Sequence, residues 1–370
     1  MLLAALLQTL AFVHGAERAE DLALIPGTRW LIASGFAKGA GLKLVDTDAR
    51  TLKFWYTGDA VQVQPDAKMY PMCTTPPDVA SFNVQGLNLR ANATEPGIHT
   101  LHAANHGGRE AIEVFRIDAR AALTARTDAP VDAHADPSSA ARPDTSTGAR
   151  DDAEPSLTWI GCLPMPDGMA ANSVATFPDG SVIATVLTRP GTQIADYVQG
   201  KVTGLVYEWK PGQRSFRHVR GADLPGNNGI EASRDGKEFY VVAFGMRAVL
   251  AFSHTNPAKL LRKAVAPGFM PDNIHWHGDE LLAAGMQYDE PACGGLRKII
   301  DGTADPMLCH RGYTVARLDP RTMVFRIFAY AEPDPDFNGV STGIVVGNNL
   351  WLGSFQSDRI GIRAITAASE

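Results

Sequence analysis

The sequence predicts an all-β protein, a six-bladed β-propeller, and three observations carry that prediction. Short apolar runs alternate with Gly, Pro, Asp and Asn turns, and few helical patterns of any length intervene. One hairpin pattern recurs along the chain. Each clear copy of it opens on a side chain that bears oxygen.

The copies are "EDLALIPGTRWLIAS" from Glu20, "NSVATFPDGSVIATV" from Asn172, "NGIEASRDGKEFYVVAF" from Asn228 and "DNIHWHGDELLAAG" from Asp272. Two positions after each opening residue stands an aliphatic one: Leu22, Val174, Ile230 and Ile274. Seven positions after it comes a turn residue, Gly27, Asp179, Asp235 or Asp279, and then a second apolar strand. Two looser copies start at Gln85 and Thr342. A single hairpin cannot bury both of its faces, so repeated ones pack into blades around a channel. The innermost strand of each blade lines that channel. Glu20, Gln85, Asn172, Asn228, Asp272 and Thr342 are therefore expected to form a ring.

The other segments follow from composition. Residues 1–16 hold an apolar run, Leu2 to Val13, followed by Gly15 and Ala16, and resemble a secretory leader although no positive charge precedes the run. The run is too short to span a bilayer as a helix, and no other segment is long enough. Residues 17–370 then form a single propeller. Within it, 124–156 is rich in Ala, Asp, Pro, Ser and Thr and is expected to be a disordered insertion, since it has too little apolar surface to offset the entropy of ordering. The patterns on either side, "AIEVFRID" and "LTWIGCLPM", read as neighbouring strands of one domain. Four cysteines fit an oxidising compartment, and Cys293 and Cys309, which bracket one loop-like insertion, are the first choice for a disulfide; four free thiols are the alternative. The expected location is periplasmic or secreted, with a cytoplasmic protein, or one membrane-associated through the leader, as the alternative. A net charge of -6 argues against a nucleic-acid partner. Oligomeric state is not legible.

A ring of Glu20, Asn172, Asn228, Asp272 and the adjacent Asn273 presents oxygen donors only, two of them anionic. That is the preference of a hard cation, and Ca²⁺ takes six to eight oxygens at about 2.3–2.6 Å. Zinc or copper would call for His or Cys. Any one of these residues could simply cap a β-turn, but the same offset in four repeats favours the ring. His275 and His277 share a strand face and form an H-x-H pair without an evident third ligand. Met286, Tyr288 and Phe355 follow strands and read as core or as pocket wall.

The stretches "AEDLALIPG", "VQGLNL", "NHGGREAIEVFRID", "AANSVATF", "GNNGIEASRDGKEFYVV" and "PDNIHW" together resemble the paraoxonase/arylesterase family, with gluconolactonase and senescence-marker-protein relatives. The resemblance implies a six-bladed propeller with a catalytic Ca²⁺ in its channel, acting on small-molecule lactones and aryl esters. It carries the calcium set onto Glu20, Asn172, Asn228, Asp272 and Asn273, with Asp272 and Asn273 also at the reacting centre. The second His of the family's proposed pair falls on His106. Three positions depart from the pattern. Gln85 stands where the first His of the pair belongs, Ser173 where a carboxylate would hold a second, structural calcium, and Gln287 where a pocket-wall His is common. A second ion would thus have only Asp21, the Leu87 carbonyl and Ser173. The expected chemistry is Ca²⁺-dependent hydrolysis, with His106 as base and Gln85 orienting water or substrate. A lyase, isomerase or synthase, or a calcium-stabilised binding propeller without catalysis, are the alternatives.

Overall fold

The computed structural model describes residues 10–127 and 153–365. Six four-stranded antiparallel sheets succeed one another along the chain. Their innermost strands are Leu22–Leu24, Val84–Ala91, Val174–Thr176, Asn227–Ala232, Phe269–His277 and Val340–Val346, which define blades 1 to 6. The turn positions read from the repeats fall between first and second strands, as at Phe177–Ser181 and Ser233–Glu238.

The second strand of a blade is covered on both faces, which is why these strands read as unbroken apolar runs and not as alternating ones. Val182–Val186 is buried throughout. Six apolar clusters fill the seams between neighbouring blades. Ile32 and Leu44 meet Phe115 and Trp159 between blades 1 and 2. Ile183 and Val206 meet Ile230 and Phe239 between blades 3 and 4. Trp351 and Ile360 meet Leu31 and Val45 where blade 6 returns to blade 1. Large side chains with no exposure, such as Trp159, Phe239 and Phe115, each contribute roughly 1.5–3 kcal/mol of burial.

The ring is closed by a segment that the sequence had assigned to the leader. Ala11–His14 is the outermost strand of blade 6 and pairs antiparallel with Arg359–Ala364, Val13 lying opposite Ile360. Val13 is buried in the cluster between blades 6 and 1. The propeller therefore begins inside the apolar run, and the boundary at residue 16 is corrected: an outer strand with one buried face has the same composition as the end of an export signal. The rest of the proposed leader, residues 1–9, lies outside the described residues. No helix among those described is long and apolar enough to cross a membrane.

The insertion at 124–156 is described only at its ends. It begins within a helix, Arg120–Thr127, and ends at the strand Ser156–Pro164. That strand pairs with Ala111–Asp118 in blade 2, so the segment interrupts one blade and separates no domains. Two disulfides are present, Cys293–Cys309 as expected and Cys73–Cys162, which fastens the long link between blades 1 and 2 to the outer strand of blade 2.

Candidate functional site

Four inner strands carry a register irregularity at the same level: Val84/Leu87, Asn227/Ile230, Pro271/Ile274 and Val340/Thr342. A bulge inserts an extra residue and re-aims the side chains beside it. Gln85, Asn228, Asp272, Asn273 and Ser341 all lie in these irregularities, while Glu20 and Asn172 stand just ahead of the short inner strands of blades 1 and 3. Glycine at two of these positions lets adjacent inner strands approach. A Cβ on Gly86 would lie 2.7 Å from the Asn172 carbonyl oxygen, and one on Gly229 would lie 2.4 Å from that of Asp272.

The result is a cavity of about 630 Å³ at one end of the channel, with Glu20, Gln85, His106, Asn172, Asn228 and Asp272 among its lining. Asn273 stands beside it, its Nδ2 donating to Glu20 Oε1 at 2.9 Å. Glu20 Oε2, Asn172 Oδ1, Asn228 Oδ1, Asn273 Oδ1 and Thr342 Oγ1 are all buried, and none has a hydrogen-bond partner. Unpartnered buried acceptors are costly, at about 1–3 kcal/mol each, and natural folds rarely keep several in one place. Glu20, Asn172 and Asn228 line the cavity, and Asn273 is bonded to Glu20 beside it. Burial pushes Glu20 well above the usual carboxylate range, and the neighbouring charges of Asp272 and Asp21 add to the shift. Burial likewise pushes Asp272 up to about 7; the Asn228 side chain opposes the shift and Asp21 adds to it. Two buried acids and three amide oxygens without donors thus stand in or beside one cavity. Among the described residues no cluster of three or more His, Cys, Asp or Glu could hold a metal, because three of the five ring donors are amides.

Asp21, named above for a second ion, is engaged by donors of the chain itself. Asp21 Oδ2 accepts from the Leu87 backbone N–H at 2.8 Å, and its Oδ1 accepts from the Leu22 N–H at 2.9 Å and from His275 Nε2 at 2.6 Å. Leu87 thus presents its N–H to Asp21, and three donors already satisfy the carboxylate. Burial works against charge on His275, yet the carboxylates Asp21 and Glu231 raise its pKa above the ordinary value. The imidazole stands beside Asp21, and among the described residues no group of three or more His, Cys, Asp or Glu gathers at His275 and His277.

His106 stands on the cavity wall between two partners. Its Nδ1 lies 2.8 Å from Glu110 Oε2, and its Nε2 lies 3.0 Å from Gln85 Oε1. A carboxylate only accepts, so Nδ1 carries a hydrogen and Nε2 is the nitrogen turned toward Gln85 and the ring. The Gln85 amide can face Nε2 with its oxygen when the ring is doubly protonated, or with its NH₂ when it is neutral. Glu110 had no role in the sequence reading. The signal was available in "NHGGRE", where an acid follows the His by four residues across a tight turn. Phe355 lines the cavity, while Met286 and Tyr288 join the apolar cluster beside it with Tyr197 and Phe244. Gln287 turns away to the Ala331 carbonyl at 3.4 Å.

A larger cavity, about 800 Å³, opens where the inner strands end, at the other end of the channel. Glu231, His275, His277, Arg234 and Trp276 line it. Its lining includes none of the unpartnered ring oxygens, so the smaller cavity is the candidate site.

No family model and no curated protein matches the sequence, and the resemblance to paraoxonases rests on the motifs alone. Among solved structures the chain is similar to a luciferin-regenerating enzyme, at 12% identity and a TM-score of 0.51, over 97% of this chain and 96% of that one. At that identity the likeness shows the fold: this protein is a six-bladed β-propeller, similar in architecture to a propeller that is an enzyme.

Proposed function

We propose that the protein is a Ca²⁺-dependent hydrolase of lactones or of aryl and carboxylic esters. The observation that supports this best is the group of buried side-chain oxygens of Glu20, Asn172, Asn228 and Asn273, which lack donors beside the carboxylate of Asp272. Oxygen donors of this number and charge suit calcium, and these five residues would hold it. When bound, the ion would supply electrostatic stabilisation for the charge that develops on a substrate carbonyl oxygen.

The chain's own residues do the rest. His106 accepts a proton from the attacking water at Nε2, and Glu110, bonded at Nδ1, holds the ring in place. Gln85 orients the water or the substrate and cannot itself act as a base. Phe36, Phe244 and Phe355 give the acyl or aryl body an apolar wall and keep bulk water from the reacting carbonyl. The two disulfides suit an oxidising compartment, and with it a periplasmic or secreted location.

Gln85 favours one other reading, a non-hydrolytic propeller enzyme, because a second imidazole is missing from the wall. A panel of lactones and phenyl esters, assayed with calcium and with chelator, separates the two. Chelator-sensitive turnover supports the hydrolase; a protein that binds calcium yet turns over neither class sinks it.

A further inference from the structure

Segment 288–312 leaves blade 5 between its second and third strands and lies against the mouth of the candidate site. It is fastened at many points. Cys293 and Cys309 are bonded to each other, and Ile299–Ile300 pairs with Thr303–Ala304. The buried Arg311 donates through Nη1 to the carbonyls of Tyr288 (3.1 Å) and Gly295 (3.0 Å). From blade 6, Asn338 Nδ2 and Gln356 Nε2 donate to the Met307 carbonyl at 3.2 and 3.3 Å. From blade 3, Gln193 Nε2 donates to the Gly302 carbonyl at 3.3 Å. The segment is therefore a cap docked on two other blades.

The cap carries Arg297 to the cavity. Among the described residues that line the cavity, Arg297 is the only Arg or Lys. Its Nε donates to the Asp305 carbonyl at 2.7 Å, and its Nη1 reaches Tyr197 Oη at 3.5 Å. These contacts fix the guanidinium while leaving Nη2 without a hydrogen-bond partner among the described residues. Leu187, Tyr197, Phe244 and Met307 add apolar lining. The cavity thus brings together oxygen donors, apolar side chains and one cation.

We propose that Arg297 selects substrates that carry a carboxylate, separated by an apolar spacer from the carbonyl that reacts. The proposal deepens the hydrolase reading and takes the same cavity as the substrate site. A guanidinium holds a carboxylate through paired, charge-assisted hydrogen bonds, and a partly buried one is screened less than one on the open surface.

Non-hydrolysable amides test the selection apart from catalysis. The anilides of succinic, glutaric and adipic acid are titrated calorimetrically into the full chain in excess calcium, against neutral anilides of equal chain length. At least one anionic anilide is expected to bind about tenfold more tightly than its neutral partner. Arg297→Met is expected to remove the difference. Arg297→Glu is expected to shift the preference to the matching ω-amino anilide, a reversal that mere loosening of the cap cannot produce. Equal affinity for anionic and neutral anilides in the wild type, or a preference that survives Arg297→Met, overturns the proposal. If the preference is intact but no ester or lactone is turned over, the hydrolase reading fails and the assignment of Arg297 stands.

Discussion

Asp272→Asn gives the ring its most demanding test, because it should stabilise the calcium-free protein while destroying the calcium response. Without an ion, the Asp272 and Glu20 carboxylates are buried close to each other, and Glu20 Oε2 has no donor. Asparagine keeps the shape of Asp272, removes its charge and brings an NH₂ to a place crowded with acceptors. Each orphaned acceptor that gains a donor returns about 1–3 kcal/mol. At roughly 2.1 cal/mol/K of unfolding entropy per residue, a chain of 370 residues gains about 1.3 °C per kcal/mol. The variant in chelator should therefore melt about 1–4 °C above the wild type. Calcium at a hundredfold its Kd adds about 2.7 kcal/mol to a protein that binds it, so the wild type should rise by about 3–4 °C. The variant, with one of two anionic donors gone, should not respond at that concentration. Differential scanning calorimetry in EDTA and in CaCl₂ measures all four midpoints. A wild type indifferent to calcium, together with a variant that melts lower in both buffers, would mean that the oxygens do not form one cation site.

Three further predictions concern other parts of the molecule. His106→Gln should lower kcat on phenyl acetate about 10²–10⁴-fold with calcium still bound, and Glu110→Gln should lower it less; full activity in His106→Gln would remove the base from the mechanism. His102 is buried in the second strand of blade 2, and burial lowers its pKa from 6.5 to about 3. Above pH 6.5 both folded and unfolded chains hold a neutral ring. Below it only the unfolded chain takes up the proton, so stability falls as pH drops toward 3, by about 2 kcal/mol at pH 5. His102→Gln should flatten that part of an acid-unfolding curve, and an unchanged slope would contradict the assignment. Val13→Ala in the closing strand should cost about 1–2 kcal/mol in urea unfolding, whereas an expendable leader would show no change.

The parts of this protein that were legible in sequence are those that the propeller repeats. Six blades place equivalent strands around one axis, so a fixed offset between an oxygen-bearing residue and an aliphatic one becomes convergence in space. Glu20, Asn172, Asn228 and Asp272 could be assembled from that offset alone, and Gly86 and Gly229 mark where adjacent backbones pass close. What breaks the repeat was harder to see. Ala11–His14 completes blade 6 from the opposite end of the chain, and no neighbouring copy announces it. The Cys73–Cys162 pairing joins residues whose spacing fits no known pattern. Glu110 belongs to a single turn, and Arg297 to an insertion found in one blade.

Asp21 and His275 show why such departures must be read in pairs. Ser173 supplies no anion where the resemblance called for one, and counted alone it merely weakens a second ion site. The structure shows what partners Asp21: His275 Nε2 stands 2.6 Å from Asp21 Oδ1. An acid buried beside the ring needs positive charge close by, from an ion or from the chain itself. With one carboxylate fewer to hold an ion, a covalently tethered imidazole is a partner that does not depend on the supply of a free ion. It leaves Asp21 satisfied by the chain itself. Glu20 Oε2 and the Oδ1 atoms of Asn172, Asn228 and Asn273 have no such internal partner, and that contrast is the physical reason to expect one exchangeable cation in the channel.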